Sequence, residues 1–175
     1  EVMAIDSDSH EEPIAAMSNQ DVFVCGPGLS SSSWSKSMLT KLINHLNKNM
    51  GAAVFDAGAL RILAKDCLST HNIKSSIVLT PHPGEAADLL GITIKEVQLD
   101  RVNAAKKIAT QYKATVILKG AGSIVTDGSE VYICDEGGPE LATGGTGDIL
   151  AGLVGSLIAQ GLSANNASLL AVATH

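Results

Sequence analysis

The stretch Ala142-Thr143-Gly144-Gly145-Thr146-Gly147-Asp148 runs straight into an apolar segment, residues 149–160, in which Leu150, Leu153, Val154, Leu157 and Ile158 recur at the helical period. Glycines at 144, 145 and 147 permit positive φ and let backbone N–H groups approach a ligand with no Cβ in the way. The helix start behind them adds unpaired N–H groups and a positive dipole end, an ordinary setting for bound phosphate. Ala151, Gly152 and Gly155 leave room for a neighbouring element to pack closely, and Gly161 reads as the helix stop. Asp148 is the anomaly. An acid in a first helical turn often only complements the dipole. A carboxylate at the lip of a phosphate cradle, however, repels the anion unless a metal or a transferable proton lies between them. The glycines immediately before it favour this second, chemical reading.

Working outward, short aliphatic runs alternate with helical patterns. Residues 21–25, 52–55, 77–79 and 115–118 read as strands, each nearly continuous in Val, Ile, Leu, Ala and Phe. Between them, residues 34–46 place Met38, Leu39, Leu42, Ile43 and Leu46 on one helical face. A short helix carries Leu60, Ile62 and Leu63, another spans 85–90, and residues 99–112 form one more. Residues 124–126 and 130–134 flank Asp127-Gly128, a hairpin signal, and Ser163 or Asn165 can cap a last helix. This order predicts an α/β fold: a mostly parallel central sheet flanked by helices on both faces, with a β-hairpin before the glycine-rich loop. Gly26-Pro27-Gly28, Asp56, His82 and Lys119-Gly120 all follow the carboxyl ends of predicted strands, where open α/β sheets place their ligand crevice. Pro81 and Pro83 force an extended turn that pins His82.

Composition narrows the function. The chain has 175 residues, is 45% hydrophobic and only 3% aromatic, so its core is aliphatic and large enough for one domain. A net charge of −6 argues against nucleic acid or an anionic membrane as the main partner, so any phosphate chemistry is local. Cys25, Cys67 and Cys134 are odd in number and lack metal spacing, reading as reduced thiols of a cytoplasmic protein. The amino-terminal stretch carries no signal-peptide pattern, and the apolar runs are too interrupted by glycine and polar residues for a membrane span. Residues 1–20 are polar and acidic and read as the middle of a longer chain.

Five stretches together carry a resemblance. Gly26-Pro27-Gly28, Asp56-Ala57-Gly58-Ala59-Leu60, Leu79-Thr80-Pro81-His82-Pro83-Gly84-Glu85, Leu118-Lys119-Gly120-Ala121-Gly122 and residues 142–148 resemble, in order, the ADP- or ATP-dependent NAD(P)H-hydrate dehydratases, carbohydrate-kinase-like members of the ribokinase superfamily. The TPHPGE stretch is the most specific, since GxGD alone fits any ribokinase-like kinase. The resemblance implies one ribokinase-like domain over residues 1–175, truncated at both ends. It also implies a metabolite-repair activity: phosphorylation of the ring hydroxyl of hydrated NADH or NADPH (NADHX, NADPHX), then phosphate elimination. Asp148 then corresponds to the base. Lys119, Gly120, Ala121, Gly122 and Ser123, with Gly145 and Gly147, correspond to nucleotide contacts. Gly28, His82 and Asp148 correspond to contacts with the hydrated dinucleotide. The implied partners are ADP or ATP with Mg²⁺ held by phosphate and water, an attached or cooperating NAD(P)HX epimerase, and a homo-oligomeric assembly. Alternative readings are a small-molecule kinase of the same fold, for a vitamin precursor or sugar, and a non-catalytic nucleotide-binding module.

Plainer readings stand beside these. Lys119 alone would be a solvated charge, and His82, like His10, His45 and His71, a structural histidine. Trp34 packs or lines the crevice, while Lys36, Lys41 and Lys48 form a solvated face. The chain also departs from the family: Gly58 replaces a commonly acidic residue, and Ser30 and Ser123 stand where glycine or threonine is usual. Gly58 weakens any role built on Asp56.

Overall fold

The computed structural model describes residues 22–66, 70, 73, 75–136, 138 and 143–175. His10, Asp21, Cys67, His71 and Ala142 lie outside the described residues. Six strands form one sheet in sequential order: β1 (Val22–Cys25), β2 (Ala52–Phe55), β3 (Ser76–Leu79), β4 (Thr115–Leu118), β5 (Ser123–Thr126) and β6 (Val131–Cys134). Neighbours from β1 to β4 are parallel. β4, β5 and β6 pair antiparallel, with Leu118 opposite Ile124 and Thr126 opposite Val131.

Side-chain alternation along each strand builds two cores. Ala53 and Phe55, Ile77 and Leu79, and Val116 and Leu118 point to one face; Val54, Val78, Ile117 and Val125 point to the other. The first face is covered by helices that follow each strand: α1 (Ser33–Lys48), α2 (Ala57–Lys65), α3 (Pro83–Leu90), α4 (Ile94–Leu99) and α5 (Arg101–Tyr112). Among the described residues the second face is covered by α6 (Thr146–Ala159) and α7 (Ala164–Thr174). Both faces are buried, so the strands read as unbroken aliphatic runs.

Helix boundaries follow local chemistry. Ser32 caps α1 by accepting the Ser35 N–H at 3.1 Å, and Leu39, Leu42, Ile43 and Leu46 form its buried stripe. The ring of His45 packs edge-on against Phe23 with centroids 5.5 Å apart, the structural use expected of it. Lys36 is not purely solvated, since its ammonium lies 2.9 Å from Asp66. The segment expected as one helix over 99–112 is broken at Asp100, which caps α5 by accepting the Asn103 N–H at 3.0 Å. Thr93 and Glu96 form a capping box that starts the separate α4. α3 begins at Pro83 rather than Glu85, because proline at the first helical position forfeits an N–H that has no helical partner anyway.

The small residues of α6 divide in role. A methyl group at Gly155 would lie 2.5 Å from Val24 Cγ2, so this glycine permits close contact with β1, whereas Gly152 faces open space and permits none. Gly155→Val should therefore destabilise the fold by about 1–3 kcal/mol through overpacking. Gly152→Ala should stabilise it by about 0.5–1 kcal/mol through helix propensity. Urea unfolding of both variants checks the pair, and equal signs would contradict the packing assigned to α6.

Candidate active site at the carboxyl edge of the sheet

The turns that leave β1, β2, β3 and β4 are zipped to one another by backbone hydrogen bonds that continue the sheet past its strands. Asp56 N–H donates to Cys25 O at 3.1 Å, Gly58 N–H to Gly26 O at 3.2 Å, Thr80 N–H to Phe55 O at 3.1 Å and Lys119 N–H to Pro81 O at 2.9 Å. Sequential strand order puts these turns side by side. Candidate residues from four distant stretches thus share one edge.

The first two turns interlock without side chains. A methyl at Gly26, whose φ is +135°, would sit 1.7 Å from Asp56 O, and one at Gly58 would sit 2.0 Å from Leu29 O. Gly58 is therefore required by the approach of the turn after β1; an acidic side chain in its place would need the two turns to separate. Between them Ala57 holds φ +44°, a left-handed conformation costing an ordinary residue about 1–2 kcal/mol. Gly28 also has positive φ, at +74°, with open space beside its Cα.

Next along the edge, Pro81 is buried and His82 exposed. His82 caps α3: its Nδ1 accepts N–H groups of Gly84 at 2.9 Å and Glu85 at 3.3 Å, which leaves the ring proton on Nε2. Glu85 is buried and closes the box, its Oε2 accepting the His82 N–H at 3.0 Å while Oε1 lies 3.4 Å from Nε2. The ring is thereby held in place through both nitrogens, with Nε2 facing the Glu85 carboxylate. The TPHPGE stretch is thus a helix cap as well as a candidate contact, and Glu85 is a supporting residue that the sequence reading left unassigned although its capping-box spacing was visible.

The turn after β4 carries Gly120 at φ +143° and Gly122 at φ +69°, with Ser123 Oγ donating to Gly120 O at 3.3 Å. Lys119 is not a solvated charge. Its Nζ lies 2.8 Å from Oδ1 of Asp56, a carboxylate only 2% exposed that makes no cap contact with the helix it precedes. Gly147 rests on this pair: a methyl there would lie 3.1 Å from Lys119 Nζ and 3.5 Å from Asp56 Oδ2. The glycine-rich turn, β2 and β4 therefore meet at one ion pair, its carboxylate buried and its ammonium partly exposed.

Gly145 takes φ +93° at the cap of α6, and Ile149 N–H donates back to its carbonyl at 3.1 Å. Thr146 Oγ1 donates to Thr143 O at 2.9 Å, and His175 Nε2 lies 2.9 Å from Thr146 O, fastening the end of α7 to this turn. Asp148 is exposed, and among the described residues its carboxylate makes no hydrogen bond or ion pair. The described residues contain no group of three or more His, Cys, Asp or Glu that could hold a metal ion. A surface groove beside Leu90, Lys107, Thr110 and Gly128 brings together no acid or histidine.

The profile of the NAD(P)H-hydrate dehydratases matches residues 1–175. The chain belongs to that family. Within the family it is similar to a bifunctional NAD(P)H-hydrate repair enzyme of Coxiella burnetii, at 43% identity over 156 residues covering 88% of this chain and 30% of the relative. It is likewise similar to an ADP-dependent (S)-NAD(P)H-hydrate dehydratase of Neisseria meningitidis, at 39% identity over 93% of this chain and 54% of the relative. The chain thus spans about half or less of the length of these curated relatives. The structure of an ADP/ATP-dependent NAD(P)H-hydrate dehydratase from Bacillus subtilis, co-crystallised with ATP and Mg²⁺, superposes with a TM-score of 0.75 at 29% identity, covering 87% of this chain and 52% of that one. The ribokinase-like fold class of this dehydratase family is the one expected from the sequence.

The ion pair also predicts a stability effect. Lys119→Ala would leave the Asp56 carboxylate enclosed without its cation and should cost about 2–4 kcal/mol, part of which Asp56→Asn should restore in the double variant. Urea unfolding of the three proteins tests this; a loss under about 0.5 kcal/mol in Lys119→Ala would mean that the pair carries no net load.

Proposed function

We propose that this chain carries the dehydratase site of a cofactor-repair enzyme, returning hydrated NADH or NADPH, in the S form, to the intact cofactor with ADP or ATP as phosphoryl donor. The observation that supports this best is Gly147 seated on the Lys119–Asp56 pair, which puts Asp148, the next residue, at the lip of the strand-end crevice. Family membership and the likeness to the Neisseria and Bacillus dehydratases support the substrate and the donor.

The chemistry divides the labour as follows. Hydroxide is a poor leaving group, so the ring hydroxyl is first converted to a phosphate ester. Its oxygen attacks the terminal phosphorus, the bond from that phosphorus to the nucleotide breaks, and the hydroxyl proton passes to Asp148. Phosphate then leaves with the C–O electron pair, pushed by the ring nitrogen, and loss of a proton from the neighbouring carbon restores the double bond. A carboxylate with no protein partner among the described residues keeps its lone pairs for the substrate, and a loose phosphoryl-transfer transition state asks more for orientation than for basicity. Gly145 and Gly147 would turn their N–H groups and the helix start of α6 toward charge on the transferring group. Lys119 would add a point charge, and residues 119–123 would hold the AMP portion. Gly28 leaves open space for the dinucleotide, and the exposed ring of His82 would contact it. Bound Mg²⁺ neutralises phosphate charge; the sparse acidic groups described here suit an ion held by phosphate oxygens and water rather than by a protein cage.

The Coxiella relative is named bifunctional, which supports a second repair activity; in this reading that activity is an NAD(P)HX epimerase, fused to this domain or working beside it. A cytoplasmic homo-oligomer fits the same reading. No helix among the described residues is long and apolar enough to cross a membrane.

Incubating the full-length protein with hydrated NADPH, Mg²⁺ and either nucleotide should restore the NADPH absorbance band, and no recovery with either donor would end the dehydratase reading. Asp148→Asn separates chemistry from fold. Turnover should fall about 10²–10⁴-fold because an amide cannot accept the hydroxyl proton, while nucleotide affinity holds or rises. A residue that only complements the helix dipole would instead cost about 0.3–1 kcal/mol of stability and leave turnover intact. Repair rate, melting temperature and nucleotide affinity of this one variant decide between them.

A further inference from the structure

We propose that Arg101, the first residue of α5, is a positioning residue for the nucleotide: its guanidinium holds the carbonyl side of the turn after β4, so that the amide side faces the phosphate-bearing part of a nucleoside di- or triphosphate. The inference rests on the nucleotide reading given above and adds a residue that neither the motifs nor the family resemblance assigned.

Three contacts carry it. Nη1 of Arg101 donates to Ala121 O, and Nη2 reaches Leu118 O at 3.3 Å and Lys119 O at 3.4 Å. The remaining carbonyl of the turn, Gly120 O, accepts from Ser123 Oγ at 3.3 Å. Every carbonyl from 118 to 121 is thus occupied by a protein donor. A peptide plane whose oxygen is held on one side must present its N–H on the other; the Lys119 N–H is spent on Pro81 O, which leaves the planes that follow it. Gly120 and Gly122, both at positive φ, let successive planes do this in a tight turn, the arrangement by which backbone amides form an anion-binding concavity. A methyl at Gly120 would lie 2.9 Å from Arg101 Nη2 and would displace the guanidinium from these carbonyls.

Among the described residues the charge of Arg101 is uncompensated: the side chain forms no ion pair, its Nε is buried without a hydrogen-bond partner, and burial lowers its pKa. Lys119, one residue before the glycines, is by contrast paired with Asp56. A staple needed only for folding could be neutral. A guanidinium kept half-buried behind a glycine turn, spending its donors on carbonyls alone, adds positive potential where phosphate would arrive, and its rigid fork spans several acceptors that a lysine cannot.

The test uses the full-length protein with Arg101→Lys and Arg101→Gln, read by titration with fluorescent ADP and ATP, by steady-state repair kinetics and by thermal melting. Arg101→Lys keeps the charge but loses the fork, and should weaken nucleotide binding about tenfold. At saturating nucleotide, kcat and the KM for hydrated NADPH should stay within about twofold of wild type. Arg101→Gln should bind nucleotide more weakly still. Unchanged nucleotide affinity in either variant, melting as wild type does, would overturn the inference. So would a parallel loss of nucleotide affinity, dinucleotide affinity and turnover that tracks the melting temperature, the signature of a general staple. If Arg101→Gln fails to fold, Arg101→Lys decides alone. A wild-type protein that binds ADP or ATP yet repairs nothing would end the dehydratase reading while leaving Arg101 to be judged by the same titrations; binding of neither nucleotide would overturn this inference as well.

Discussion

The pair between Lys119 and the buried Asp56 is the contact on which the edge of this molecule depends. Its two members follow β4 and β2, the strands on either side of β3, and Gly147, the last glycine of the candidate catalytic turn, lies directly on it. An enclosed pair of charges is rarely a net source of stability, because desolvation consumes most of the attraction. Its value here is positional. A carboxylate so deeply buried cannot be left alone, so it fixes where the ammonium lies, and the ammonium in turn limits how closely α6 may approach. Gly147, lacking a side chain, is the residue that lets that approach be close.

A second constraint acts through the backbone. The turns after β1, β2, β3 and β4 are hydrogen-bonded to one another beyond the strands, and Gly26 and Gly58 remove the side chains that would separate the first two. These turns are thus joined through peptide groups rather than through side chains. The cost is visible at Ala57, a non-glycine residue in the left-handed region, where the two turns meet.

Much of this was legible in the sequence. The strand runs at 52–55 and 115–118, the stripe of α1 and the ordered motifs at strand ends all follow from periodicity and turn chemistry, because both faces of the sheet are buried and each turn needs glycine or proline. What was not legible depends on contacts between distant segments. Asp56 was discounted because of Gly58, yet the two answer to different partners: Asp56 to Lys119 across the sheet, Gly58 to the carbonyl of Leu29. Arg101 looked like an unremarked residue inside a longer helix, since nothing local signals that a guanidinium will meet carbonyls some twenty positions later. The break at Asp100 that frees it was readable as a cap, but helical periodicity on both sides masked it.

The two faces of the sheet are completed at different stages of the chain. The face bearing Phe55, Leu79 and Leu118 receives its cover piecemeal, from helices that lie between the strands. The face bearing Val54, Val78 and Ile117 is covered, among the described residues, by α6 and α7 alone, which come last. α6 both closes this second core and carries Asp148 in its first turn, so the packing of Val54, Val78 and Ile117 against that helix also sets where the Asp148 carboxylate stands along the strand ends.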